Sequence, residues 1–498
     1  MIAGIGGGTR SGSVALVDAG TLAGVCSQER VTRVRGAGVN ASGLPDEAID
    51  LMLSRIGRSR SAIDRYVKVD GDGPWSAATV GQIGHHFAHA CTAYLTSPFT
   101  SSAVVVCDHE GPEISVWVGK GPSLQQVPWP WQGPGFVSVY SRCSAALGFR
   151  LAAADQHTEA LARLRPDERD ADIDRLITRE RETLSVDPDL ERVVEQRLAG
   201  HREAGSAAHA AVAAALQSRL ADLLVDFLRD VREQVGFTNV CLGGSLFYQS
   251  SMNTRVYESR VFDQVFVPVD PGNSGLAVGA ALQAQDGVPA LVSPFLGPSY
   301  SAEETKQVLD NCKLQYSWES EGGAVKAAVR ALQDGRLVGW FDGAMEWGPR
   351  ALGARCILAN PSAPYLLDNL NRFLKGREAW RGYALSGLQE AVAEHFSGPA
   401  HAPFMQCDYR PRDPARFREA LPSAEAVVRM QTVSTDSGLP LFRRLLEAFG
   451  AATGLPFLIN TSFNGFHEPI VCSPRDAIRV FYGTGLDVLV INQFVLQK

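Results

Sequence analysis

The sequence predicts a mixed α/β protein with more than one domain, and three observations lead to this fold class. The chain opens with short apolar runs on either side of a glycine-rich turn at residues 6–13, which is typical of a β-hairpin. Glycine-containing turns later separate an apolar run from a helical pattern, once after Leu242 and once after Val269. A proline-rich stretch at 287–301 then divides the chain. We therefore expect α/β and α+β parts that meet near residue 290.

Composition limits the classes of function. The 498 residues allow two to four domains, and 45% apolar with 20% charged residues is ordinary for a globular protein. The net charge of -7 argues against a protein that binds mainly nucleic acid or a membrane surface. Nine scattered cysteines without CxxC spacing argue against a disulfide framework or a cysteine zinc site. Without a signal-peptide pattern or a run of 18 apolar residues, we expect a cytoplasmic protein.

The N-terminal hairpin is a candidate phosphate site. Its turn holds small residues and hydroxyls, whose backbone N–H groups could bind a phosphate. The actin and sugar-kinase ATPase fold begins in this way, so we expect that fold in the first domain. A flexible hairpin tip explains the same residues equally well.

The stretch HHFAHA at 85–90 is a candidate metal site at the start of a predicted helix. His85 and His89 are four residues apart, so they lie one turn apart on one face and can share a divalent ion. Asp108 follows a predicted buried strand at 101–107 and could be the third ligand, although it could equally cap a turn. Two imidazoles and one carboxylate suit Fe(II), Mn(II) or Zn(II). A metalloprotease is disfavoured because no glutamate lies between the histidines.

Two later glycine turns could bind a nucleotide. These turns are Gly243-Gly244-Ser245 after the strand at 240–242, and Asn273-Ser274-Gly275 before the helix at 276–282. A strand, a glycine turn and a helix can cradle a phosphate, but paired glycines also serve tight packing. Together with the hairpin they favour a nucleotide cleft on one sheet.

The stretch at 335–361, GRLVGWFDGAMEWGPRALGARCILANP, organises the second part of the chain. It predicts two buried strands joined by a rigid Gly-Pro corner, with Arg350 leaving that corner and Arg355 five residues later. Two guanidinium groups on a rigid connector suit a phosphate or carboxylate site. The alternative is an ordinary pair of surface arginines on a turn.

Three further stretches complete the interpretation. Residues 366–384 hold a basic cluster beside an aromatic residue, a pattern that can bind nucleic acid but conflicts with the negative net charge. Residues 161–205 are dense in charge and predict solvated helices without a site. Residues 460–465, NTSFNG, predict a polar turn after a buried strand.

With these stretches assembled, the chain resembles the O-carbamoyltransferase family of antibiotic and nodulation-factor tailoring enzymes over nearly its whole length. The resemblance is strongest in HHFAHA, GPRALG, LNRFLKGREAWR, RMQTV and NTSFN. It implies a first domain at 1–290 that is similar to the ATPase fold of tRNA threonylcarbamoyl transferases and carries a metal site. It implies a second domain at 291–498 that is similar to the YrdC domain, which forms carbamoyl-adenylate.

The resemblance also implies an activity and the residues that perform it. The activity is ATP-dependent transfer of the carbamoyl group of carbamoyl phosphate, through carbamoyl-adenylate, to a hydroxyl of a small-molecule acceptor such as a secondary metabolite or a sugar. The implied carbamoyl-phosphate residues are Arg350, Lys375, Arg381 and Arg429. The implied ligands of a divalent metal, Fe(II), are His85, His89, Asp108 and Asn273, with Asp270 as an alternative to Asn273. The implied nucleotide-binding residues are Gly243, Gly244, Ser245, Gln249, Ser274 and Gly275.

Departures from the family pattern cluster in the first domain. The family has Asp where Asn273 stands, and Asn ligates without supplying charge. Thr9 and Ser11 replace a His and an Asp, which removes an acceptor-side base; His109 and His157 are the candidates to replace it. The block HTEALA at 157–162 stands where the family has Lys-x-Met-Gly-Leu-Ala, and Gln249 replaces an Asn. We therefore expect an unusual acceptor or a less active first domain.

Other classes of function explain fewer of these observations. A tRNA-directed relative would need a basic surface, and a sugar kinase would not explain GPRALG or NTSFN. A non-catalytic relative of the same fold would explain the departures but not the intact set of second-domain cations. We expect a small-molecule partner, no nucleic acid and no membrane, and the chain could form a homodimer.

Overall fold

The computed structural model describes residues 1–70, 80–150, 154–201, 203–285 and 287–498. The strands of the first part are β1 Ile2–Gly6, β2 Ser13–Asp18, β3 Thr21–Ser27, β4 Arg65–Val69, β5 Val80–Ile83, β6 Ser101–Cys107, β7 Ile114–Lys120, β8 Ser123–Val127, β9 Ile177–Glu180, β10 Thr183–Val186, β11 Asn239–Gly243 and β12 Gln264–Phe266. Its helices are α1 Gln28–Thr32, α2 Asp46–Arg55, α3 His85–Leu95, α4 Phe136–Ala146, α5 Ala154–Ala162, α6 Ala171–Leu176, α7 Leu190–Leu198, α8 Ala207–Val235, α9 Ser250–Ser259 and α10 Leu276–Gln283.

Two mixed sheets with two helices between them form the centre of the first part. One sheet has the order β3-β2-β1-β4-β5, and the other has the order β12-β11-β6-β7-β8. Helix α10 packs on β1, α3 packs on β6 and β11, and the two helices pack on each other. Gly279 makes this approach possible, because a Cβ atom there would lie 2.2 Å from the backbone oxygen of Ala88. The arrangement fixes the helix that begins at His85 against both sheets.

The charged stretch at 161–205 differs from its prediction. It contains α6, the β9–β10 hairpin and α7 instead of solvated helices alone. Apolar residues of these helices and strands are buried in the same core as α8: Ile173, Ile177, Leu184, Leu190 and Val194. The charges of this stretch therefore cover a layer of helices that packs against α8.

The second part is built on one large sheet. Its strands are β13 Ser317–Trp318, β14 Val338–Phe341, β15 Arg355–Ala359, β16 Leu385–Leu388, β17 Phe396–Ser397, β18 Cys407–Pro411, β19 Val428–Val433, β20 Phe457–Ser462, β21 Val488–Ile491 and β22 Phe494–Gln497. Its helices are α11 Ala302–Asn311, α12 Glu321–Gln333, α13 Leu366–Asn369, α14 Val392–His395, α15 Pro440–Thr453 and α16 Pro474–Gly483, with a π-type turn at Leu370–Lys375. The strand order is β13-β22-β21-β14-β15-β20-β16-β19-β18-β17.

The organising stretch at 335–361 forms a central pair of this sheet. The two apolar runs form strands, as predicted; β14 and β15 pair antiparallel, and β14 also pairs in parallel with β21. The prediction of a polar turn at 460–465 is wrong for its first three residues, because β20 continues to Ser462. Asn460 is tolerated inside because its amide donates to the oxygen of Ala351 at 3.0 Å and to the hydroxyl of Ser386 at 2.8 Å.

The structure is a mixed α/β fold, as predicted, while the boundary near residue 290 stays a prediction. Within the residues that the structure describes, no helix has the length and apolar character needed to cross a membrane.

Candidate active site

A cavity of about 1340 Å³ is lined by residues of both parts of the chain. The structure brings all four predicted carbamoyl-phosphate residues to its wall: Arg350, Lys375, Arg381 and Arg429. They come from the connector between β14 and β15, from the π-type turn and the loop after it, and from β19. Their common location is a finding, while their ligand stays a prediction.

Arg350 is held on a rigid loop with most of its donors free. The buried Glu346 organises this loop, because its Oε1 accepts the N–H of Leu352 at 2.7 Å. Arg350 Nη2 donates to the backbone oxygen of Tyr248 at 2.9 Å, and the rest of its guanidinium makes no hydrogen bond to any described residue. Burial and the nearby Arg429 lower the pKa of Arg350 to about 9. An anion in the cavity would relieve this unfavourable charge.

Arg355 has a different role from the one predicted. Its terminal nitrogens donate to the backbone oxygens of Asp342, Ala354, Pro298 and Gly343 at 3.0–3.1 Å. Its guanidinium carbon lies 3.5 Å from the ring centroid of Phe341, and the side chain is fully buried. The expectation that both arginines of the stretch bind an anion is therefore wrong for Arg355, which instead ties together the loops that carry the site.

Arg429 is anchored by Glu159, a residue that the sequence analysis did not single out. Arg429 Nη2 donates to both carboxylate oxygens of Glu159, at 2.9 and 3.1 Å. Burial would raise the pKa of Glu159, but Arg163, Arg429 and Arg350 outweigh it and lower that pKa to about 2. Arg429 Nη1 makes no hydrogen bond within the described chain, so this nitrogen of the guanidinium is available to bind a ligand.

Arg163 extends this network into a bridge between the two parts of the chain. Its guanidinium lies 2.5 Å from the carboxylate of Glu159, four residues earlier in the chain. It also donates to both oxygens of Asp408 on β18, at 3.0 and 3.1 Å. The hydroxyl of Ser250 joins the group, donating to Asp408 and accepting from Arg429 Nε at 3.0 Å. The prediction that 161–205 carries no site residue is therefore wrong for Arg163, which lines the cavity. The local Glu159–Arg163 spacing is ordinary for a solvated helix, and the partner that distinguishes Arg163, Asp408, lies 245 residues away.

Lys375 and Arg381 differ in how many of their hydrogen-bond donors the protein already uses. Lys375 Nζ donates to the backbone oxygens of Ser462 and Asn464 and to Asn464 Oδ1, at 2.6, 3.1 and 2.6 Å, so all three protons are used. Burial, and then Arg377, lowers its pKa well below the ordinary value. Among the described residues, the ion-pair partner of Arg381 is Glu378, at 3.9 Å, and burial followed by Arg377 lowers the pKa of Arg381 to about 10. Arg381 can therefore take an anion directly, while Lys375 must exchange loop bonds to do so.

The predicted metal residues His85, His89 and Asp108 converge on one point. Asp108 Oδ2 lies 2.7 Å from His85 Nε2 and 2.8 Å from His89 Nε2, and the two imidazole nitrogens are 3.1 Å apart. Burial would raise the pKa of Asp108, but the two histidines outweigh it and hold that pKa well below its ordinary value. Two imidazole nitrogens and a carboxylate oxygen that face each other in a buried site fit a divalent cation.

Neighbouring groups orient these side chains. His85 Nδ1 lies 3.2 Å from Glu110 Oε2, which turns its Nε2 inward. Asp108 Oδ1 accepts hydrogen bonds from the backbone N–H of Ser245, at 3.1 Å, and from its hydroxyl. His86 is adjacent to His85 on the helix and therefore points away from this centre. Its Nδ1 lies 2.8 Å from the Ser115 hydroxyl oxygen.

The structure separates the two candidates for the fourth ligand. Both oxygens of Asp270 are used within its own loop: Oδ1 accepts from Tyr248 and from the N–H of Gly272, and Oδ2 accepts from Ser274. By contrast, Asn273 Oδ1 is buried and has no hydrogen-bond partner in the described part of the chain. An unpaired buried oxygen is costly unless it binds something, so Asn273, unlike Asp270, keeps an oxygen available for a ligand; its role as a metal ligand stays a prediction.

The remaining predicted residues fall into two groups. Ser245, Gln249, His109 and His157 line the cavity. His157 Nε2 lies 3.1 Å from Glu378 Oε1, and His109 is exposed. The paired glycines serve close packing, because a Cβ on Gly244 would lie 2.2 Å from the oxygen of Cys107, and Gly243 packs on His89. Gly275 packs on the oxygen of Asp270 in the same way, and Ser274 holds the Asp270 carboxylate. A nucleotide role for these residues stays a prediction.

Comparison with known families agrees with the site. The family model for the carbamoyltransferase N-terminus matches residues 75–282, and the model for the carbamoyltransferase C-terminus matches residues 329–498. The chain therefore belongs to the carbamoyltransferase family. Nearly all the residues described above lie within these two matched ranges.

The relatives match over unequal parts of their length. Nodulation protein NolO of Bradyrhizobium diazoefficiens is 34% identical over 58% of this chain and 55% of that protein. Nodulation protein NolNO of Sinorhizobium fredii is 29% identical over 84% of this chain and 64% of that protein. An uncharacterized protein of Synechocystis is 28% identical over 83% of this chain and 75% of that protein. The match with NolO thus spans little more than half of its length.

Likeness to solved structures is weak. Full-length HypF in its phosphate- and nucleotide-bound form is 13% identical, covers 57% of this chain and 55% of that chain, and has a TM-score of 0.37. A likeness at this level supports no statement about the site.

Proposed function

We propose that this chain is an ATP-dependent O-carbamoyltransferase that moves the carbamoyl group of carbamoyl phosphate, through carbamoyl-adenylate, to a hydroxyl of a small-molecule acceptor. The observation that carries the proposal is that four cations from separate stretches line one cavity: Arg350, Lys375, Arg381 and Arg429. Each charge-assisted hydrogen bond to a phosphate could contribute about 1.5–3 kcal/mol. A set of this kind suits a small dianion beside a nucleotide.

The first step takes place at these cations. Carbamoyl phosphate is hydrolysed to phosphate and carbamate, and a carbamate oxygen then bonds to the α-phosphorus of ATP as the bond to pyrophosphate breaks. Arg350 and Arg381, whose donors face the cavity, offset the negative charge of the reacting groups. Arg429 adds its free Nη1 group. In this proposal residues 291–498 form a YrdC-like domain that performs this step.

The second step takes place at the histidine centre of an ATPase-fold domain at 1–290. His85, His89 and Asp108, with Asn273, would hold a divalent ion, which is Fe(II) by resemblance to the family. The acceptor oxygen bonds to the carbamoyl carbon as the bond to AMP breaks, and an ion bound there would polarise the carbamoyl carbonyl as a Lewis acid. His109 follows Asp108 and faces the cavity, and His157 faces it near Glu378, so either could take the acceptor proton. The acceptor class, a secondary metabolite or a sugar, follows from the resemblance to the family.

The contact between the cavity wall and the histidine centre suits a labile intermediate. Ser245 lines the cavity and also bonds to Asp108, so one wall residue touches both the cavity and the histidine centre. A carbamoyl-adenylate formed at the cations would need no exit into bulk water to reach that wall.

Release of AMP and pyrophosphate from ATP tests the proposal. We expect release to require carbamoyl phosphate, and to fall about 10²–10³-fold in Arg350→Ala, by analogy with the loss of a donor that stabilises transition-state charge. Arg418→Ala is the matched control, because that arginine is 59% exposed, and it should stay within about twofold of wild type. Release that is independent of carbamoyl phosphate, or unaffected in Arg350→Ala, would contradict the proposal.

A further inference from the structure

A short turn at Ser245–Tyr248 contacts both centres. At its first residue, Ser245 donates to Asp108 of the histidine centre. At its last residue, the backbone oxygen of Tyr248 accepts from Arg350 Nη2 at 2.9 Å. The two centres are therefore joined by the backbone of a single 3₁₀ turn.

The side chain of Tyr248 extends toward a third element. Its hydroxyl donates to Asp270 Oδ1, and Asp270 is fully buried. The Tyr248 ring packs closely against Gly272, because a Cβ on Gly272 would lie 2.1 Å from the Tyr248 hydroxyl oxygen. Asp270 also accepts from the N–H of Gly272 at 3.1 Å and from the hydroxyl of Ser274. Through these hydrogen bonds, the Asp270 carboxylate fixes the conformation of the loop at 270–275.

This loop carries Asn273, whose Oδ1 is buried and unpaired with any described residue. The other end of the loop is tied to α3, because the hydroxyl of Thr92 donates to the oxygen of Gly275 at 3.0 Å. Helix α3 also carries His85 and His89. Asn273 is therefore held between the Tyr248–Asp270 contact on one side and the histidine helix on the other.

We propose that Tyr248 is a positioning residue for the metal centre: its hydroxyl, through Asp270, fixes the loop that directs Asn273 Oδ1 toward the ion. The inference rests on the proposed function for the identity of the two centres. The physical reason for such positioning is that Asn273 is a neutral ligand. An amide oxygen brings no charge to a divalent cation, so its contribution depends on being held in place before the ion arrives. The same residue positions Arg350 through its backbone oxygen.

Metal affinity of the apo protein tests this inference without any turnover. We would titrate chelator-treated protein with Fe(II) under anaerobic conditions, against a chromophoric competitor, in wild type and Tyr248→Phe. Partners outside the ligand set typically change metal affinity 10–100-fold, so we expect about a tenfold loss. Tyr257→Phe is the matched control, since that hydroxyl donates to the oxygen of Val265 at 2.7 Å, and it should stay within about twofold. Equal affinity of Tyr248→Phe and wild type, or no binding by wild type, would overturn the inference.

A double variant separates positioning from general loosening of the fold. If Tyr248 acts through Asn273, adding Tyr248→Phe to Asn273→Ala should cause no further loss of affinity beyond about twofold. A further tenfold loss would overturn the inference, because Tyr248 would then act by another route. Pyrophosphate release measured on the wild-type sample tests the proposed chemistry separately, so the two can fail independently.

Discussion

The two centres of this protein differ in how their polar groups are satisfied before any ligand binds. At the cation cluster, Arg350 and Arg381 keep donors free toward the cavity, and burial lowers the pKa of both. At the histidine centre, Asp108 accepts from Ser245 and lies within 2.8 Å of His85 and His89. The first arrangement is prepared for an anion from solvent, and the second is prepared for a small cation.

The difference teaches that charge and burial alone do not identify a ligand site. Arg350 and Arg355 lie five residues apart in one motif and neither is exposed, since Arg355 is fully buried and Arg350 is half-buried in the cavity wall. What separates them is the number of donors that the protein itself satisfies. Arg355 gives four hydrogen bonds to backbone oxygens, while Arg350 gives one. The comparison predicts that the two arginines contribute oppositely to stability and activity.

Arg355→Met should give the largest effect on stability. The substitution leaves backbone oxygens without partners in a buried region, each at a cost of about 1–3 kcal/mol. We expect the free energy of unfolding to fall by about 4 kcal/mol, measured by urea denaturation. A loss below about 1 kcal/mol would show that Arg355 is not the structural member of the pair.

Glu159→Gln tests the bridge that anchors Arg429. Removing one partner of a buried ion pair typically costs about 3–5 kcal/mol, so we expect about 3 kcal/mol at pH 7. The pKa of Glu159 is about 2 in the fold, against an ordinary value of 4.5. Because the folded pKa is lowered, this stabilisation is present above pH 4.5 and is lost as the pH falls toward 2.

The measurement is therefore urea unfolding of wild type and Glu159→Gln at pH 7, 5 and 4, where the difference should shrink at the lowest pH. Glu390→Gln is the control, because Glu390 pairs with Arg443 at the surface and is 58% exposed. That variant should change the free energy of unfolding by less than about 1 kcal/mol. A difference for Glu159→Gln that is constant with pH would contradict the assignment.

Arg350→Ala should give the smallest effect on stability, with the opposite sign. Burial and Arg429 disfavour the charge of Arg350 in the unliganded protein. Its removal should raise the free energy of unfolding by about 1 kcal/mol while it abolishes most activity, as expected where function costs stability. Destabilisation comparable to Arg355→Met would remove the distinction between the two arginines.

Much of the fold could be predicted because apolar runs and capping residues are local signals. The strand at Ser101–Cys107 has the predicted bounds, and helix α10, Leu276–Gln283, ends one residue beyond the prediction of 276–282. Strand β20 was predicted too short, since Asn460 looks like a turn residue until its partners Ala351 and Ser386 are known. Polar residues inside a sheet need such partners, and the chain supplies them from distant positions.

The residues of the candidate site likewise divide into those that the sequence predicted and those that it did not. Helix spacing predicted the convergence of His85 and His89, and the resemblance brought Arg350 and Arg429 together. Glu159 and Arg163 were missed because their significance depends on Asp408 and Arg429, which lie on another part of the chain. Charged residues on a short helix are ordinary in sequence, and only the fold shows that these two are buried in the wall of a cavity.

The central claim is that the chain has two separable centres, which are joined at Ser245 in the cavity wall. The most direct test is carbamoyl-phosphate-dependent pyrophosphate release in His89→Ala and Arg350→Ala, measured side by side with the same protein concentration and with metal content recorded. The account predicts that His89→Ala loses bound metal but keeps at least about half of the wild-type release rate, whereas Arg350→Ala keeps its metal and loses release about 10²–10³-fold. Equal loss of release in both variants would contradict the account.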